Sequence, residues 1–567
     1  MDSRVERGLR ITLILLCATP VAWAAEQADL LFTGGLVYTV SAGTPRAEAV
    51  AVIDDRIVWV GKAAEQDDWV GPETRVVDLR GGMLLPGFQD SHLHLHWGGL
   101  EVARCSLESA ADRAAVTTSL MDCEARLEND NDWLVASQWN RSMFPGGTPP
   151  AGFLDELFPR RPVSVVTSDG HTKWVNQPAL DLAGIDETTV APANGFIDRD
   201  PESGKPTGLL GAAAMSLIDR VQPPPSDDYQ RQAIRSAIEL ANSFGITSSI
   251  EPGVTGKQAR LFRQLAESGD QSMRILLALA PLGAEVLAFG DEVYPLLQEH
   301  ADFESMSLKA NSVKVFADGA VESNTAALLE PYLGQYDNGM QPFYSADEMA
   351  RYFARFDQMG INIHVHAIGD LAIRRTLDAF ETMRAANGPS DNRHVITHLQ
   401  LIAMSDRPRF AALGIAASFS PLWAFPGDYT LNLYPGMIGP ERTNDNYPIK
   451  DLAESGARIA GSSDWSVDDM NPLLAMEAAI TRKNPWINEG PALTADQAVD
   501  LPTVIEAYTR STAWLMSLES ETGSIEVGKK ADLVALDTNL FEIPAEDISE
   551  ARVTMTVFDG KVVYEVR

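Results

Sequence analysis

The sequence predicts an α/β protein, a (β/α)8 TIM barrel joined to a composite β-sandwich domain that both termini build. Three observations support this fold. Strand-like runs alternate with helical periodicity through the middle of the 567-residue chain, short strand-like runs recur at both ends, and one long segment interrupts the alternation. Repeated alternation of strands and helices is typical of a parallel sheet covered by helices.

Residues 1–24 have the features of a secretory signal peptide. Three arginines precede an apolar run that begins at Ile11, and Ala22-Trp23-Ala24 follows as a small-residue cleavage motif. The alternative is an uncleaved anchor, but the run is shorter than the ~20 apolar residues that a membrane-spanning helix needs. We therefore expect cleavage after Ala24, a periplasmic or secreted protein, and no stable membrane insertion.

The charge of the chain limits its partners. Lys and Arg number 45 against 79 Asp and Glu, which gives a formal net charge of −34 at pH 7. This acidity argues against nucleic acid or an anionic membrane as a partner, and we expect a small-molecule substrate. The sequence sets no expectation for the oligomeric state.

Two cysteines, Cys105 and Cys123, remain after the predicted signal cleavage. In an exported protein they could form one disulfide, and two buried thiols are the alternative. The spacing alone does not decide between the two.

The β-sandwich is predicted from residues 25–84 and 516–567. Near the amino terminus, "ADLLFTGGLVYTV" and "AEAVAVIDDRIVWVGK" alternate around Gly-Gly and Asp-Asp turns. At the carboxyl terminus, "KKADLVALD" and "VTMTVFDGKVVYEVR" repeat this style. Short strands at both ends indicate one small sheet domain that the two termini close together.

The barrel is predicted over residues 85–515, with an insertion at about 101–225. Eight strand-like segments precede helical stretches: "MLLPGFQDSHLH", "ITSSIEPG", "RILLALAP", "SVKVFADG", "INIHVHAIGD", "HVITHLQ", "IAASFSP" and "RIAGSSDW". Eight repeats favour a closed barrel over an open doubly wound sheet. The insertion is rich in proline and tryptophan, and we expect it to fold over the barrel mouth.

The stretch "DSHLHLH" places three histidines at alternate positions. In an extended chain His92, His94 and His96 project from one face, while Leu93 and Leu95 face the other way. Two neighbouring imidazoles make half a metal site, and a histidine-rich surface strand is the alternative. The partners of the pair decide between these interpretations.

Candidate partners lie in other predicted strands, mostly at their ends. The carboxyl-terminal ends of barrel strands converge on one mouth, so residues far apart in the sequence meet there. Four imidazoles, a carboxylate and a lysine suit Zn²⁺ or a similar divalent ion. The candidate ligands are His92, His94, Lys314, His366, His398 and Asp464.

We expect the other polar residues near these segments to have structural roles and not to bind the metal. His364 shares the parity of His366 one layer deeper, and we expect it to be hydrogen-bonded in the core or behind a ligand. We expect His96 to lie in solvent or a loop past the strand. His394 begins its strand at the opposite, structural end, and Asp318 is expected to form a turn or cap a helix.

Ten fragments, taken together and in order, resemble the amidohydrolase superfamily, and within it the amidohydrolase-3 branch that includes N-substituted formamide deformylases. They are "LLPGFQDSHLHL", "SDGHTKWVNQPAL", "GITSSIEPG", "VKVFADGAVESNTAAL", "HVHAIGDLAI", "RHVITHLQL", "ASFSP", "IAGSSDWSV", "AYTRSTA" and "GSIEVGKKADLVALD". The resemblance implies that His92 and His94 bind one metal. It also implies that Lys314, carboxylated on its amine, bridges to a second metal held by His366 and His398, with Asp464 near both.

Elementary chemistry supports these roles. A divalent ion lowers the pKa of a bound water towards ~7, and Asp464 could take the proton of that water and pass it to a leaving nitrogen. A free ammonium on Lys314 would repel the cations, whereas a carbamate would be an anionic bridge. The alternative is a structural lysine that faces a carboxylate. We expect one or two divalent ions per chain, Zn²⁺ above others.

The insertion holds the candidate substrate contacts. In "SDGHTKWVN" the resemblance implies that Asp169, His171 and Trp174 reach into the pocket. His171 could polarise a substrate carbonyl as a second catalytic residue, and a loop anchor is the alternative. Trp139 is a further candidate for lining the pocket, with a buried core position as its alternative.

The expected activity is hydrolysis of a non-peptide C–N bond, in an amide, N-formyl or N-acyl group, by an exported metal-dependent enzyme. A lactone, carbamate or cyclic-amide hydrolase is an alternative on the same site, and a non-catalytic periplasmic binding or regulatory protein is another. The sequence departs from the branch at Ala212, Asn324, Thr397 and Ser420, none of which is a candidate ligand. We therefore expect intact chemistry with a different substrate.

Overall fold

A computed structural model describes residues 27–566, apart from residues 104, 108, 126, 128, 130–131, 140–142, 145–148, 168–171, 193–194, 282–288, 323 and 335–340. The predicted signal peptide, residues 1–24, lies outside the described residues. Within the described ranges, no helix combines the length and the apolar character needed to cross a membrane.

Eight parallel strands form the barrel in sequence order. Each strand pairs with the next one along the chain, and each of these pairs is parallel. The strands, named β1 to β8, are Phe88–Asp90, Ile246–Val254, Arg274–Leu279, Leu308–Phe316, Asn362–Ala367, Val395–His398, Ala416–Phe419 and Ile459–Gly461. The predicted (β/α)8 barrel is confirmed.

The first and last strands meet through the residues that follow them. The amide of Ser91 donates to the carbonyl of Gly461 at 2.9 Å, and the amide of Asp464 donates to the carbonyl of His92 at 2.9 Å. These bonds tie the segment after β1 to the segment after β8. They place the first histidine of the HxH motif and the aspartate of "SSDW" side by side.

Helices connect the barrel strands. Capping boxes begin two of them, at Thr255 with Gln258 and at Ser345 with Glu348. The helices around the barrel are Leu95–Ala103, Asp227–Ser243, Gly256–Ser268, Val293–Gln298, Ala346–Gln358, Asp370–Asn387, Arg407–Leu413, Ile449–Glu454 and Pro472–Thr481. Shorter helices on the carboxyl-terminal side are Tyr434–Met437, Pro440–Thr443, Leu501–Glu506 and Thr512–Leu515.

The barrel strands are buried, as their nearly continuous apolar sequences predict. All six residues of β3 are buried. One cluster joins Ile250, Leu276, Val395 and Ala460, which come from four different strands, and therefore fills the barrel interior. Leu515 also belongs to this cluster.

Both termini build the β-sandwich. One sheet has the strand order Arg56–Gly61, Ala49–Ile53, Leu30–Thr33, Arg75–Asp78. The other has the order Lys561–Glu565, Val553–Phe558, Leu533–Leu536, Met83–Pro86, Leu36–Tyr38, Arg46–Ala47. Side chains from both sheets share one core. Phe32 and Val50 of the first sheet belong to the same hydrophobic cluster as Leu533 and Met555 of the second.

The predicted first strand, "MLLPGFQDSHLH", is in fact divided between two domains. Met83–Pro86 pairs within the sandwich sheet, and Phe88–Asp90 begins the barrel. Gly87 lies at the division, where an added Cβ would come within 2.3 Å of the Thr247 hydroxyl. The backbone therefore passes close to β2 at this point, and only glycine fits without displacement.

The insertion folds as its own sheet between helices Leu95–Ala103 and Asp227–Ser243. Its strand order is Gly195–Arg199, Pro206–Ala212, Thr172–Val175, Val163–Thr167, Leu134–Trp139, Cys105–Ser106. Its helices are Arg113–Glu124, Phe153–Leu157, Gln177–Ala183 and Ser216–Asp219. Cys105 and Cys123 form a disulfide with Cα atoms 5.7 Å apart, which settles the open question about this pair.

Candidate metal centre

His92 and His94 lie after β1, where the chain has left the extended conformation. The carboxylate of Asp90 accepts hydrogen bonds from the amide of His92 at 2.9 Å and from the amide of Ser463 at 3.0 Å. Burial raises the pKa of Asp90 to about 7. Asp90 thus joins the loop of the two histidines to the loop of Asp464, a contact that the sequence analysis missed.

The expectation that His92, His94 and His96 share one face of a strand is wrong. The chain enters helix Leu95–Ala103 directly after His94. Glu251, at the end of β2, accepts from the amides of Leu95 and His96 at 2.5 and 3.2 Å and so fixes the first turn. The sequence signal for Glu251 was an acidic residue within the predicted strand "ITSSIEPG".

His96 is buried rather than solvent-exposed, which corrects the sequence-based expectation. It is 9% exposed, and both ring nitrogens have side-chain partners, Oε1 of Gln230 at 2.8 Å and Nε2 of Gln258 at 3.1 Å. The helical turn directs His96 against neighbouring helices and away from His92 and His94. His96 therefore has a structural role here.

Asp464 is the residue that brings the histidines together. Its Oδ1 lies 3.3 Å from Nε2 of His92 and 3.2 Å from Nε2 of His94, and its Oδ2 lies 3.9 Å from Nδ1 of His398. Burial opposes its ionisation, but the hydrogen bond from His94 holds the pKa of Asp464 below its ordinary value. The carboxylate is therefore ionised at neutral pH.

His398 and Asp464 have left-handed backbone conformations, with φ values of 78° and 56°. Residues other than glycine rarely adopt this conformation, and it is concentrated at functional sites. In both cases it occurs just where a barrel strand ends. The turn aims the two side chains at each other across the barrel mouth.

Three buried side chains offer a compact set of ligand atoms. One ligand atom each from His92, His398 and Asp464 lies within 4.8 Å of the others. Burial holds the pKa values of both imidazoles well below the ordinary range, so they are neutral, the form that binds a metal. Nδ1 of His398 is buried and has no hydrogen-bond partner among the described residues, although it faces Asp464. These donors fit a divalent ion.

Lys314 and His366 flank this set. Nζ of Lys314 lies 3.4 Å from Nε2 of His92, and burial lowers the lysine pKa to about 7 against the opposing effect of Asp464. The ring centroid of His366 lies 4.4 Å from that of His398. Its Nε2 lies 3.1 Å from the Gly319 carbonyl, and burial lowers its pKa to about 3. The structure thus places Lys314 beside His92, His366 beside His398 and His94 beside Asp464.

His364 lies directly behind the centre. Its Nε2 is 2.7 Å from Nδ1 of His92, so the pair shares one proton, and the ring is 1% exposed. This agrees with the expected position behind a ligand. His394 also has the expected structural position, with Nε2 at 3.3 Å from Asp357. Asp318 is completely buried and accepts three backbone amides, those of Ala327, Ile368 and Gly369.

The structure contradicts the expectation that Trp139 and Trp174 contact substrate. They are 0% and 2% exposed, with ring centroids 5.9 Å apart. Trp174 also contacts Phe144 and Phe153 within the core of the insertion. The strands direct both indoles into that core, where large aromatic rings bury the most apolar area.

Asp169 and His171, the other two predicted substrate contacts, lie outside the described residues. Two tryptophans that the sequence analysis did not select lie beside the centre instead. The ring of Trp423 stacks on that of His398 at 5.2 Å, and the ring of Trp97 lies 5.7 Å from that of His94. Trp97 is 45% exposed and so combines contact with a ligand and access to solvent.

A parallel (β/α)8 barrel with a buried histidine and carboxylate cluster beyond its strand ends defines the class of metal-dependent hydrolases of this fold. Residues 75–564 match the amidohydrolase family, and the chain belongs to it. The protein is therefore a metal-dependent hydrolase of that family.

Relatives match nearly the whole chain. The protein LONG AFTER FAR-RED 3 of Arabidopsis thaliana is 31% identical over 95% of this chain and 92% of its own length. The putative amidohydrolase YtcJ of Bacillus subtilis is 30% identical over 94% and 99%. The N-substituted formamide deformylase of Arthrobacter pascens is 28% identical over 95% and 99%.

A solved structure supports the same fold. An uncharacterized metal-dependent hydrolase from Pyrococcus horikoshii superposes with a TM-score of 0.71. The match has 22% sequence identity and covers 91% of this chain and 99% of the other. The barrel and the sandwich therefore recur together in that protein.

Proposed function

We propose that this protein is an exported hydrolase of a non-peptide C–N bond, in an amide, N-formyl or N-acyl group, with Asp464 as general base and acid. The position of Asp464 carries the proposal. Its carboxylate is buried and ionised, and it lies within 3.3 Å of ring nitrogens of both His92 and His94. A base that holds and returns a proton must lie at this point, beside the ligands of the ion.

The site would hold one or two divalent ions, Zn²⁺ above others. His92 and His94 would hold one, His366 and His398 the other, and Asp464 lies beside the ligands of both. A bound ion supplies a water that is acidic near neutral pH. Asp464 then accepts a proton on a carboxylate oxygen and delivers it to the leaving nitrogen. His364 keeps the ring of His92 in place through the 2.7 Å contact.

We also propose that Lys314 is carboxylated. Its pKa of about 7 means that a large fraction of the amine is neutral at physiological pH, and the neutral amine attacks carbon dioxide. A bond forms between Nζ and the carbon of CO2 as one C=O π bond breaks and its electron pair moves to oxygen, and the nitrogen loses one proton to solvent. The product is an anion, which removes a cation from beside His92 and adds oxygen ligands.

Export and substrate class rest on separate support. The Cys105–Cys123 disulfide suits an oxidising compartment, as does the signal-like segment at residues 1–24. The name of the Arthrobacter pascens relative supports an N-formyl substrate. The departures from the branch at Ala212, Asn324, Thr397 and Ser420 support a substrate that differs from those of the named deformylases.

The test is a substrate panel on the metal-loaded protein. N-formyl amines, N-acetyl amines, carbamates, cyclic amides and lactones are assayed before chelation, after chelation and after Zn²⁺ is restored. We expect turnover of an N-formyl or N-acyl compound that chelation abolishes and Zn²⁺ restores. Turnover of lactones alone, or full activity after complete chelation, would contradict the proposal.

A further inference from the structure

A second polar cavity lies at the end of β8 away from Asp464. It has a volume of about 310 Å³, and Arg458, Thr503, Glu506 and Ser511 line it together with small apolar residues. Arg458 immediately precedes β8, whereas Asp464 follows that strand. The cavity is therefore separate from the metal centre.

Arg458 is a partly buried cation that contacts an aromatic ring and forms no ion pair with the described residues. Its guanidinium carbon lies 4.5 Å from the ring centroid of Trp514, and that of Arg393 lies 4.4 Å from the same ring. Arg393 is paired with Glu519 at 2.9 Å. Arg458 has no ion pair or side-chain hydrogen bond to any residue that the structure describes. Its guanidinium donors are therefore not committed to a protein acceptor in that part of the chain and remain available to a ligand.

Ser511 offers a second unmet group. It is only 3% exposed, yet its hydroxyl has no hydrogen bond within the described ranges. Its neighbours behave differently, because the hydroxyls of Thr509 and Thr512 bond to the carbonyls of Ile505 and Ala507. Ser511 ends a π-helical turn, an irregularity that is frequent at functional sites.

Thr503 adds a second hydroxyl to the cavity. Its amide donates to Asp500 at the start of helix Leu501–Glu506. Its hydroxyl has no partner in the part of the chain that the structure describes. One guanidinium and two hydroxyls with free hydrogen-bonding capacity thus line the same small space.

The charges around Arg458 leave one positive charge in excess. Glu506 lines the cavity but is held by Arg510 at 2.5 Å, and Glu519 is held by Arg393. Glu506, Arg510, Arg393 and Glu519 all act electrostatically on Arg458, two of them cations and two of them anions. Their charges cancel, and that of Arg458 does not.

We propose that this cavity binds a small oxyanion, a carboxylate or a phosphate, through the Arg458 guanidinium and the hydroxyls of Thr503 and Ser511. Guanidinium groups form paired, charge-assisted hydrogen bonds with both kinds of anion, and hydroxyls add further donors. The apolar part of the lining, which includes Ala457 and Ile459, suits a short hydrocarbon group on a carboxylate. The site does not depend on the reaction assigned to the metal centre.

Titration calorimetry on the metal-loaded full chain tests this proposal with inorganic phosphate and, separately, with acetate. The proteins are the wild type, Arg458→Gln, Ser511→Ala and, as a matched control, Arg220→Gln, which removes an exposed arginine elsewhere. Any binding of the probes to the metal centre is common to all four. The difference between wild type and Arg458→Gln therefore reports this cavity alone.

We expect a saturable event in the wild type and the control that Arg458→Gln abolishes. Ser511→Ala should weaken it by about tenfold, the cost of one charge-assisted hydrogen bond. The stronger of the two probes identifies phosphate or carboxylate as the preferred ligand. Identical isotherms for wild type and Arg458→Gln, or no binding of either probe, would overturn the proposal. If Arg458→Gln does not fold, Thr503→Val with Ser511→Ala serves instead, because it keeps the contact with Trp514.

Discussion

Replacing Asp464 by asparagine separates proton transfer from metal binding. The amide is nearly the same size as the carboxylate, and its oxygen can still accept from His94 and approach an ion. It cannot take up a proton near neutral pH. We expect kcat to fall by about 100-fold or more, the usual contribution of general acid–base catalysis, which corresponds to about 2.7 kcal/mol in activation free energy.

The structure indicates why the metal should remain. His92 and His398 are neutral because of burial, and that burial does not change in the variant. Asp464 raises the pKa of Lys314, so its loss lowers that pKa further and increases the neutral amine that can be carboxylated. The remaining ligands therefore keep their binding forms.

The assay measures kcat, KM and bound metal on the same preparations. Asp468→Asn is the matched control, because it removes a partly buried carboxylate four residues further along that does not contact the histidines. We expect Asp464→Asn to lose kcat with its metal content and unfolding midpoint unchanged, and Asp468→Asn to keep most of its kcat. Loss of the metal in Asp464→Asn would make the residue chiefly a ligand, and turnover near that of the wild type would remove it from the mechanism.

Three further changes test the surrounding structure. Lys314→Ala should lose most activity and one bound metal, and short-chain carboxylic acids should restore part of the activity. Lys309→Ala, in the same strand, should lose neither. Equal losses in both variants would contradict a carboxylated Lys314 that links the two metals. Burial raises the pKa of Glu251 to about 8, so folding takes up a proton between about pH 4.5 and pH 8 and stability falls as pH rises through that window, by up to ~1.4 kcal/mol per pH unit. Glu251→Gln should remove the contribution of this group and so make the pH dependence of the free energy of unfolding in urea shallower. An unchanged slope would refute the buried carboxyl. Trp139→Ala should lower the free energy of unfolding by about 3–5 kcal/mol, because Trp139 is buried. Trp486 is 50% exposed, so Trp486→Ala should lower it by less than about 1 kcal/mol. Equal losses in the two variants would contradict the burial of Trp139.

The sequence by itself determined the fold class and the composition of the centre. Eight strand-like segments that alternate with helices favour a closed parallel sheet, and ligands at strand ends follow from that geometry. His398 and Asp464 could be predicted because each follows an apolar strand as its first strongly polar side chain. The position of a polar residue directly after an apolar strand is a local property of the sequence, so it can be recognised without the tertiary structure.

The tertiary structure alone decided which way individual side chains face. Met83–Pro86 looks like part of β1, but a sheet completed by the other end of the chain takes it. Trp139 is a candidate for lining the pocket from the sequence, but its indole is buried against Trp174. His96 continues the spacing of His92 and His94, yet Glu251 starts a helix there and turns it away. Each of these orientations depends on residues from distant parts of the sequence. The free energy gained by burial depends on which surfaces pack together, and local residue spacing does not determine that.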